Sequence, residues 1–498
     1  MRKKLSIGLL GMALTINSFA DIADTAIDWR PAERWRGFNL LGMFYDSGQE
    51  PSFSEEEFSM ISEFGFNFVR LPLDYRFWIK DGNWDEINEE RIKPIDRAVE
   101  FGKKYGIHVQ ICFHRAPGYT VARPYEKMNL FKDEEALQAC IKHWRFFAER
   151  YKGIPNEQLS FNLFNEPGNV KPEVYAVVAQ RLTDAIRETD PGRYIIADGI
   201  EWGRKQVEEL FSLNVGQAAR GYEPMSISHY KANWVSIPSV EPCWPLTDAA
   251  TTPLYGPVKE EWSKPLEIKD LPPCHVVIQP GMISGNVTVT AYADGAELAS
   301  FGLIPGEGDK WTNVSYKPEW KVTQAQYTGT LEFKVPANTD TVSIAVTNGD
   351  WAAIDKLEIT DESGQKALLP MVNRWGETNK PFFFKGFNAH PPLQLADRPD
   401  SGEEYLREIF LANWQKAFDA DIFVMVGEFG AYNRTPHGIV LEWMEDNMRI
   451  WKELDIGWAL WNFSGTFGIL DSGRTDVQYE DYKGHKLDRK MLELLQRY

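Results

Sequence analysis

Two glutamates in this sequence follow short apolar runs of the kind that form buried strands. Glu166 comes after "FNLFN" and is followed by Pro167 and Gly168, and Glu428 comes after "IFVMVG". A carboxylate at the end of a buried strand is costly unless it is paired or used. Two carboxylates that face one pocket suit glycoside hydrolysis, because one can donate a proton while the other attacks the sugar. Glu166 and Glu428 are therefore the candidate catalytic pair.

The elements that would position this pair alternate between strands and helices. Six short apolar runs precede residue 231, and helical stretches are predicted at 90–105, 134–151 and 172–189. Strand and helix alternation at this spacing is typical of βαβ units and a parallel sheet. The runs read "RGFNLLGMF", "FNFVRLPL", "HVQICFHR", "LSFNLFNEP", "RYIIADG" and "MSISHY".

The pattern of polar and apolar residues changes in the middle of the chain, and the alternation of strands and helices then returns. Residues 255–370 alternate polar and apolar residues between turn signals, as in "NVTVTAYADG" and "DTVSIAVTNG", which predicts a β-sandwich. After it come a helix at 402–419, the run "IFVMVGEFG", a helix at 441–454 and the run "GWALWNF". Six strands before the insert and two after it make the eight that close a parallel barrel.

The predicted fold is thus an α/β (β/α)8 TIM barrel that an all-β sandwich interrupts after strand six. Its parts are a leader at 1–20, a first barrel segment at 21–254, the sandwich at 255–370 and a second barrel segment at 371–498. In such a barrel the carboxyl ends of the strands converge on one pocket. Glu166 would end strand four and Glu428 strand seven, so both would face that pocket.

Five motifs in this order resemble glycoside hydrolase family 5, the cellulase-type clan of retaining barrel glycosidases. They are "NFVRLP", "FHRAPGY", "NLFNEPGN", "VGEFGAYN" and "GWALWNFSGTFGILDSGR". The resemblance covers most of residues 30–250 and 371–498 but not the insert. It implies that Glu166 is the general acid/base and Glu428 the nucleophile, and that no metal or organic cofactor is needed.

The resemblance also implies a set of substrate-binding residues. Asn165 would hold the sugar 2-hydroxyl, and Arg70 would keep Glu428 ionised. His114 would line the subsite of the reactive sugar, His229 would orient or tune the acid/base, and Trp461 would form an aromatic floor. Each of these side chains could instead have a purely structural role, such as an ion pair or core packing.

One position departs from the family pattern. Many members show His-x-aromatic on strand six, with a tyrosine hydroxyl on the nucleophile, whereas this sequence reads "SISHYKANW". Lys231 stands where the tyrosine is expected, and side chains in a strand alternate between its faces. Either a bulge turns Tyr230 inward or another group replaces it.

The insert resembles a carbohydrate-binding module in texture, particularly in "SIAVTNGDWAAIDKLEIT". Trp311, Trp320 and Trp351 could stack on sugar rings or could pack the sandwich. Alternatively, the insert could wall one end of the cleft and favour attack at chain ends.

The charge balance bears on partners. The 498 residues carry a formal net charge of -18, which argues against nucleic acid and against anionic membranes. The expected partner is a β-linked polysaccharide or oligosaccharide, and the chain is expected to be a monomer.

The first twenty residues have a secretory signal pattern. Arg2, Lys3 and Lys4 precede an apolar run of about 12 residues, shorter than the roughly 20 needed to span a membrane. Ser18, Phe19 and Ala20 form a small-x-small cleavage site, so the mature protein is expected to be secreted or periplasmic.

The four cysteines give no metal-site spacing. Cys112 and Cys140 are expected to be buried thiols. Cys243 and Cys274 lie in proline-rich loop sequence and could form a disulfide in an oxidising compartment or remain reduced.

The favoured function is a secreted β-glycanase that acts on a β-glucan of the cellulase and glucanase type. Three alternatives remain open: a mannan- or xyloglucan-directed hydrolase on the same scaffold, a transglycosylase, and a carbohydrate-binding protein without turnover.

Overall fold

The structure is a computed structural model that describes residues 30–45, 50–235, 242–245, 249–389, 392–395 and 402–498. The predicted leader at 1–20 lies outside the described residues. Among the helices that are described, none is both long and apolar enough to cross a membrane.

Within the described residues, eight strands precede residue 222. They are β1 (Arg36–Asn39), β2 (Phe68–Asp74), β3 (Ile79–Lys80), β4 (Asn83–Ile87), β5 (His108–Arg115), β6 (Leu159–Asn162), β7 (Ile195–Asp198) and β8 (Gly216–Gly221). β3 and β4 form a small antiparallel hairpin, and the other six pair in parallel. Every residue of β2, β5 and β8 is buried, as expected for parallel strands that are covered on both faces.

Fifteen short strands follow between residues 250 and 395. They are β9 (Ala250–Thr252), β10 (Leu254–Tyr255), β11 (Leu266–Lys269), β12 (Cys274–Ser284), β13 (Val287–Ala293), β14 (Ala296–Leu303), β15 (Trp311–Lys317), β16 (Val322–Tyr327), β17 (Leu331–Val335), β18 (Thr341–Asn348), β19 (Trp351–Asp361), β20 (Lys366–Leu369), β21 (Met371–Asn373), β22 (Phe382–Phe384) and β23 (Leu393–Leu395). The last four strands are β24 (Val424–Phe429), β25 (Gly457–Leu460), β26 (Glu480–Tyr482) and β27 (His485–Leu487).

The helices lie mainly between the parallel strands. They are α1 (Glu55–Glu63), α2 (Lys93–Tyr105), α3 (Glu134–Arg150), α4 (Pro172–Arg187), α5 (Ile200–Gly203), α6 (Met225–Ser228), α7 (Gly402–Asp419), α8 (His437–Glu453) and α9 (Arg489–Arg497). Short 3₁₀ helices span Tyr75–Trp78, Glu89–Ile92, Glu208–Leu213 and Pro257–Trp262.

Local sequence explains where these helices begin and end. α2 ends at Gly106, whose left-handed φ of 69° suits glycine. α9 begins at Asp488, whose side chain accepts a hydrogen bond from the backbone N–H of Met491.

The barrel closes in the order β1-β2-β5-β6-β7-β8-β24-β25, and β25 pairs back onto β1. The predicted (β/α)8 barrel is therefore confirmed. The inserted segment lies between β8 and β24, the sixth and seventh strands of the barrel.

The insert is built from two β-sheets. One runs β10-β19-β12-β16-β15 with β17 and β20 at its sides, and the other runs β14-β13-β18-β11-β22-β23. The second sheet includes Phe382–Phe384 and Leu393–Leu395, so its strand pairing extends past the predicted end at 370. β9 and β21 pair in parallel where the chain enters and leaves the sandwich.

The barrel and the sandwich bury separate apolar clusters. The barrel cluster includes Phe38, Ile111 and Trp144, while the sandwich cluster includes Ile278, Ile344 and Ile359. Cys112 and Cys140 are buried free thiols, as predicted. Cys274 is also a free thiol at the start of β12, so the disulfide with Cys243 is not formed.

Candidate active site

The predicted catalytic glutamates meet at the carboxyl end of the barrel. Glu428 lies within β24, and Glu166 lies four residues beyond the end of β6. Arg70, from β2, is fully buried and contacts both Glu428 and Asn165, the residue before Glu166. The barrel therefore brings together residues that are hundreds of positions apart in the sequence.

Arg70 holds Glu428 in an ion pair. Its Nη1 lies 2.5 Å from Oε1 of Glu428 and also donates to Oδ1 of Asn39 at 3.0 Å. Its Nη2 donates to Oδ1 of Asn165 at 2.9 Å, and its Nε donates to Oδ1 of Asn162 at 3.0 Å. A buried guanidinium with this many partners is fixed in orientation and fixes Glu428 in turn.

A second arginine, Arg220 at the end of β8, contacts both catalytic candidates. Its Nε donates to Oε1 of Glu166 at 2.9 Å, and its Nη2 lies 3.3 Å from Oε1 of Glu428. The same Nη2 donates to Oδ1 of Asn165 at 2.8 Å and pairs with the buried carboxylate of Asp198. One guanidinium therefore reaches Glu166 and Glu428 together.

The backbone at Glu166 adopts an uncommon conformation. Its φ is 52°, in the left-handed region that few residues other than glycine adopt. Its N–H donates to Oδ2 of Asp198 at 2.8 Å, and its carbonyl accepts from the hydroxyl of Tyr119 at 2.7 Å. These two partners hold the strained turn that aims the carboxyl group into the site.

The pKa of Glu166 is raised to about 7. Burial of its carboxyl group is the largest cause, and the negative charge of Glu428 is the next, while Arg220 opposes both. A carboxyl group with this pKa carries a proton over much of the neutral and acid range.

Two buried polar atoms near Arg70 and Arg220 have no hydrogen-bond partner within the described residues. They are Nδ2 of Asn165 and Nδ1 of His114. Buried polar atoms are almost always satisfied, so a pair left open in one pocket indicates a polar ligand. Burial and the nearby arginines lower the pKa of His114 well below its usual range, so this ring is neutral.

An aromatic wall lines the same pocket. The ring of Trp461 lies 5.7 Å from that of His114 and 5.3 Å from that of Phe44. Trp461 follows β25, and its backbone N–H donates to the carbonyl of Phe429 at 2.8 Å. The pocket therefore combines a carboxylate pair, open hydrogen-bond groups and an aromatic side.

The sequence-based location of strand six is wrong. β8, at Gly216–Gly221, is the sixth barrel strand, and the predicted run "MSISHY" instead contains the short helix α6 at Met225–Ser228. His229 and Tyr230 thus follow a helix, and the expected alternation of their side chains does not apply. The tyrosine hydroxyl that contacts Glu428 belongs to Tyr222, which lies 3.3 Å from Oε2.

His229 nevertheless lies close to the site, next to Tyr222. The ring of His229 packs 5.0 Å from that of Tyr222, and its Nδ1 lies 2.8 Å from the hydroxyl of Ser228. Burial lowers the pKa of His229 to about 4. The ring of Tyr230 lies under Nζ of Lys231 at 4.7 Å.

Sequence reasoning missed three polar residues of this site, namely Asp198, Arg220 and Tyr222. Asp198 is next to last in the run "RYIIADG", so its position near a predicted strand end could have identified it as a site residue. Arg220 and Tyr222 lie in "ARGYEP", where the spacing arginine-x-tyrosine matches the expected His-x-aromatic pattern with arginine in place of histidine.

Within the described residues, no group of three or more His, Cys, Asp or Glu side chains is arranged to hold a metal ion.

A carboxyl group that can carry a proton and an ion-paired carboxylate, both at the carboxyl end of a (β/α)8 barrel, are the two groups that glycoside hydrolysis uses. Residues 29–224 match the family model described as Cellulase (glycosyl hydrolase family 5). The first segment of the barrel is therefore similar to family 5 glycoside hydrolases, in agreement with the resemblance of the sequence motifs.

Known proteins agree with this assignment. Endoglucanase C of Acetivibrio thermocellus is 30% identical over 185 residues, which cover 36% of this chain and 53% of that protein. Cellodextrinase A of Ruminococcus flavefaciens is 26% identical over 216 residues, covering 40% and 61% of the two chains. The chain thus spans about half the length of the first of these relatives and under two thirds of the second.

The likeness to a solved structure extends through the insert. A crystal structure of a glycoside hydrolase matches with a TM-score of 0.59 and 26% identity, covering 93% of this chain and 99% of that one. The resemblance of the sandwich itself to a carbohydrate-binding module stays a prediction.

Proposed function

We propose that this protein is a retaining glycoside hydrolase that cleaves β-linked glucan chains through a glycosyl-enzyme intermediate. The observation that carries the proposal is the guanidinium of Arg220, which contacts Glu166 at 2.9 Å and Glu428 at 3.3 Å. Carboxyl groups within reach of one guanidinium are close together, as the retaining mechanism requires.

In the first step, Glu428 attacks the anomeric carbon while Glu166 donates its proton to the leaving oxygen. The glycosidic bond breaks as the bond between the sugar and Glu428 forms. The pKa of about 7 keeps Glu166 protonated for this step. Arg70 and Arg220 both pair with Oε1 of Glu428 and hold this carboxylate in place for the attack.

In the second step, water replaces Glu428 on the sugar. Ester formation removes the charge of Glu428, which is one of the two main causes of the raised pKa of Glu166. The pKa of Glu166 therefore falls in the intermediate, and the carboxylate can accept a proton from the attacking water. Hydrolysis of the ester then releases the sugar with its original configuration and restores both glutamates.

The remaining site residues have roles in binding the sugar. Nδ2 of Asn165 and Nδ1 of His114 are the open groups to which sugar hydroxyls would bind. We assign Trp461 to the aromatic face under the ring, and His229 to packing against Tyr222. Tyr222 takes the role that the sequence motif suggested for Tyr230.

The substrate proposal rests on the relatives. Their names, Endoglucanase C and Cellodextrinase A, favour a β-glucan over mannan or xyloglucan as the polymer cleaved. The signal pattern at 1–20 supports export, so we propose that the protein is secreted or periplasmic and acts as a monomer.

The test compares the unmodified chain with Glu428→Gln and with Glu173→Gln, a matched change on the exposed side of α4. Each protein is incubated with carboxymethyl-cellulose, mixed-linkage glucan, β-1,3-glucan, xyloglucan and mannan, and the products are separated by chromatography. We expect cleavage of a glucan that Glu428→Gln loses by at least about a thousandfold and Glu173→Gln retains.

Other results would change the proposal in defined ways. Cleavage of mannan or xyloglucan alone would keep the mechanism and overturn the substrate. Products longer than the substrate would indicate transglycosylation, and binding without cleavage by the unmodified chain would indicate a carbohydrate-binding protein. An α-anomer as the first product, detected by NMR, would exclude retention.

A further inference from the structure

A groove lies at one end of the sandwich, well apart in sequence from the catalytic motifs. Its volume is about 770 Å³, within the range of small-molecule and oligosaccharide sites. Beside the charged residues Lys259 and Asp350, its lining includes four tryptophans and two neutral amide side chains. The six residues are Trp262, Asn286, Trp320, Gln324, Trp351 and Trp375.

Two of the four tryptophans are unusually exposed for side chains that only pack a core, whereas Trp351 is buried. Trp320 is 63% exposed and Trp375 is 53% exposed, although each carries a large apolar surface. Concentrated aromatic surface in a concave site indicates a ligand with apolar faces. The faces of pyranose rings are apolar and their edges carry hydroxyls, which indole rings and amide groups can bind respectively.

The base of the groove is held rigidly. A Cβ atom at Gly349 would lie 2.0 Å from the carbonyl oxygen of Asn286, and one at Gly256 would lie 2.3 Å from that of Gly349. The turns at 256, 286 and 349 therefore touch through their backbones. Beside them, the hydroxyl of Ser284 donates to Oδ2 of Asp350 at 2.7 Å.

The side wall at Trp375 is fixed as well. The N–H of Gly376 donates to the hydroxyl of Tyr255 at 2.6 Å, and the ring of Trp375 packs at 88° against that of Trp351, 5.1 Å away. The groove thus exists before any ligand arrives, which lowers the entropy lost on binding.

The groove also adjoins the barrel. Trp375 lines both the groove and a neighbouring cavity whose wall includes Arg220 and Gly221 at the end of β8. A chain of sugar rings bound in the groove would therefore lie beside the face of the barrel that carries the catalytic glutamates.

We propose that this groove is an accessory binding site for a β-linked glucan chain, with Trp320 as its main stacking surface. The identity of the glucan rests on the proposed function, whereas the existence of the site rests on the groove. The site would hold polymer next to the barrel and leave its own rings uncleaved.

The test measures binding of cellohexaose to the full chain carrying Glu428→Gln, by isothermal titration calorimetry. We expect two sites per chain, and we expect Trp320→Ala on this background to weaken one of them at least tenfold. Trp320→Phe, which keeps a ring, should weaken it less. Tyr316→Ala is the matched control, because Tyr316 is 59% exposed on the same sandwich but outside the groove.

Equal binding by the Trp320→Ala and Tyr316→Ala chains would overturn the proposal. If the Trp320 chain loses its fold, as judged by its melting curve, Trp262→Ala provides the same comparison. Groove binding of mannohexaose in preference to cellohexaose would overturn the glucan assignment.

Failure of the proposed function is detected by a measurement separate from the binding test. Hydrolysis of soluble glucan is measured on the unmodified chain, whereas groove binding is measured on the Glu428→Gln chain. Loss of a Trp320-dependent site in an active enzyme contradicts only this inference, and a Trp320-dependent site in an inactive protein contradicts only the catalytic assignment.

Discussion

Glu166 and Glu428 contact the same guanidinium but have different surroundings. Oε1 of Glu428 lies near two arginines, whereas Glu166 pairs with one. Burial raises the pKa of Glu166 and so favours its protonated form. In the proposed mechanism, this difference makes Glu166 the acid and Glu428 the nucleophile, although the two residues are the same type.

The pH dependence of turnover follows from Glu166. Its pKa is raised to about 7, and the first step needs the protonated form, so kcat/KM should fall about tenfold per pH unit above roughly pH 7. The profile is measured on a soluble oligosaccharide between pH 4 and 9. Glu166→Gln, assayed on a substrate with an activated leaving group, should lose this limb, and an unchanged limb would show that another group titrates.

Arg220 should influence both rate and pH dependence. In Arg220→Lys, a single ammonium replaces the guanidinium that contacts Glu166, Asp198 and Glu428. We therefore expect kcat/KM to fall about a hundredfold. Arg220→Gln removes a charge that lowers the pKa of Glu166, so the alkaline limb should move to higher pH. Arg145→Gln, which alters an exposed pair with Glu188, serves as the control.

Tyr222 and Tyr230 can be distinguished by removing one hydroxyl at a time. The hydroxyl of Tyr222 donates to Oε2 of Glu428 at 3.3 Å, so Tyr222→Phe should lower kcat about tenfold. The same assay on Tyr230→Phe tests the assignment made from sequence. A loss confined to Tyr230→Phe would contradict the geometry.

At the scale of elements, the barrel depends on a close approach between its first two strands. Gly37 in β1 faces Phe68 in β2, and a Cβ atom at Gly37 would lie 1.7 Å from the carbonyl oxygen of Phe68. Gly37→Ala should therefore reduce the free energy of unfolding by about 3 kcal/mol or more, measured by urea denaturation. Gly192→Ala is the control, since a Cβ atom there meets nothing within 4 Å.

Element prediction succeeded where apolar residues follow the period of the element. The predicted helix at 402–419 matches α7, and the predicted strands at Arg70, Glu166 and Glu428 fall in order around the barrel. The strand segments bury Val, Leu and Phe, so their hydrophobic pattern is strong.

Strand six was misplaced because its own pattern is weak. β8 reads "GQAARG", and its side chains are either small or polar groups with partners inside the barrel, such as Gln217 and Arg220. The next segment, "MSISHY", alternates polar and apolar residues like a strand, yet Met225–Ser228 forms a helical turn. The functional demands on β8 removed the signal that would have located it, so Arg220 and Tyr222 were missed.

At the scale of the whole molecule, the chain passes between the barrel and the sandwich at few points, but residues of both parts line one cavity. The chain enters and leaves near the paired strands β9 and β21, and Trp375 lines the space between the two parts. The number of barrel strands on either side of the insert was predictable from sequence. The far boundary at Leu395 was not, because Phe382–Phe384 pairs with β11 from more than a hundred residues away.

Because the two parts bury separate apolar clusters, each should unfold with its own cooperativity. We expect calorimetry of the full chain to resolve two components. Ile359→Ala, which empties a fully buried site in the sandwich, should lower one component by about 2–4 kcal/mol, and Ile111→Ala should lower the other by a similar amount. If either change lowers both components equally, the shared wall at Trp375 couples the two parts into one unit. In that case a glucan bound in the groove would also stabilise the barrel, and cellohexaose would raise both transitions together.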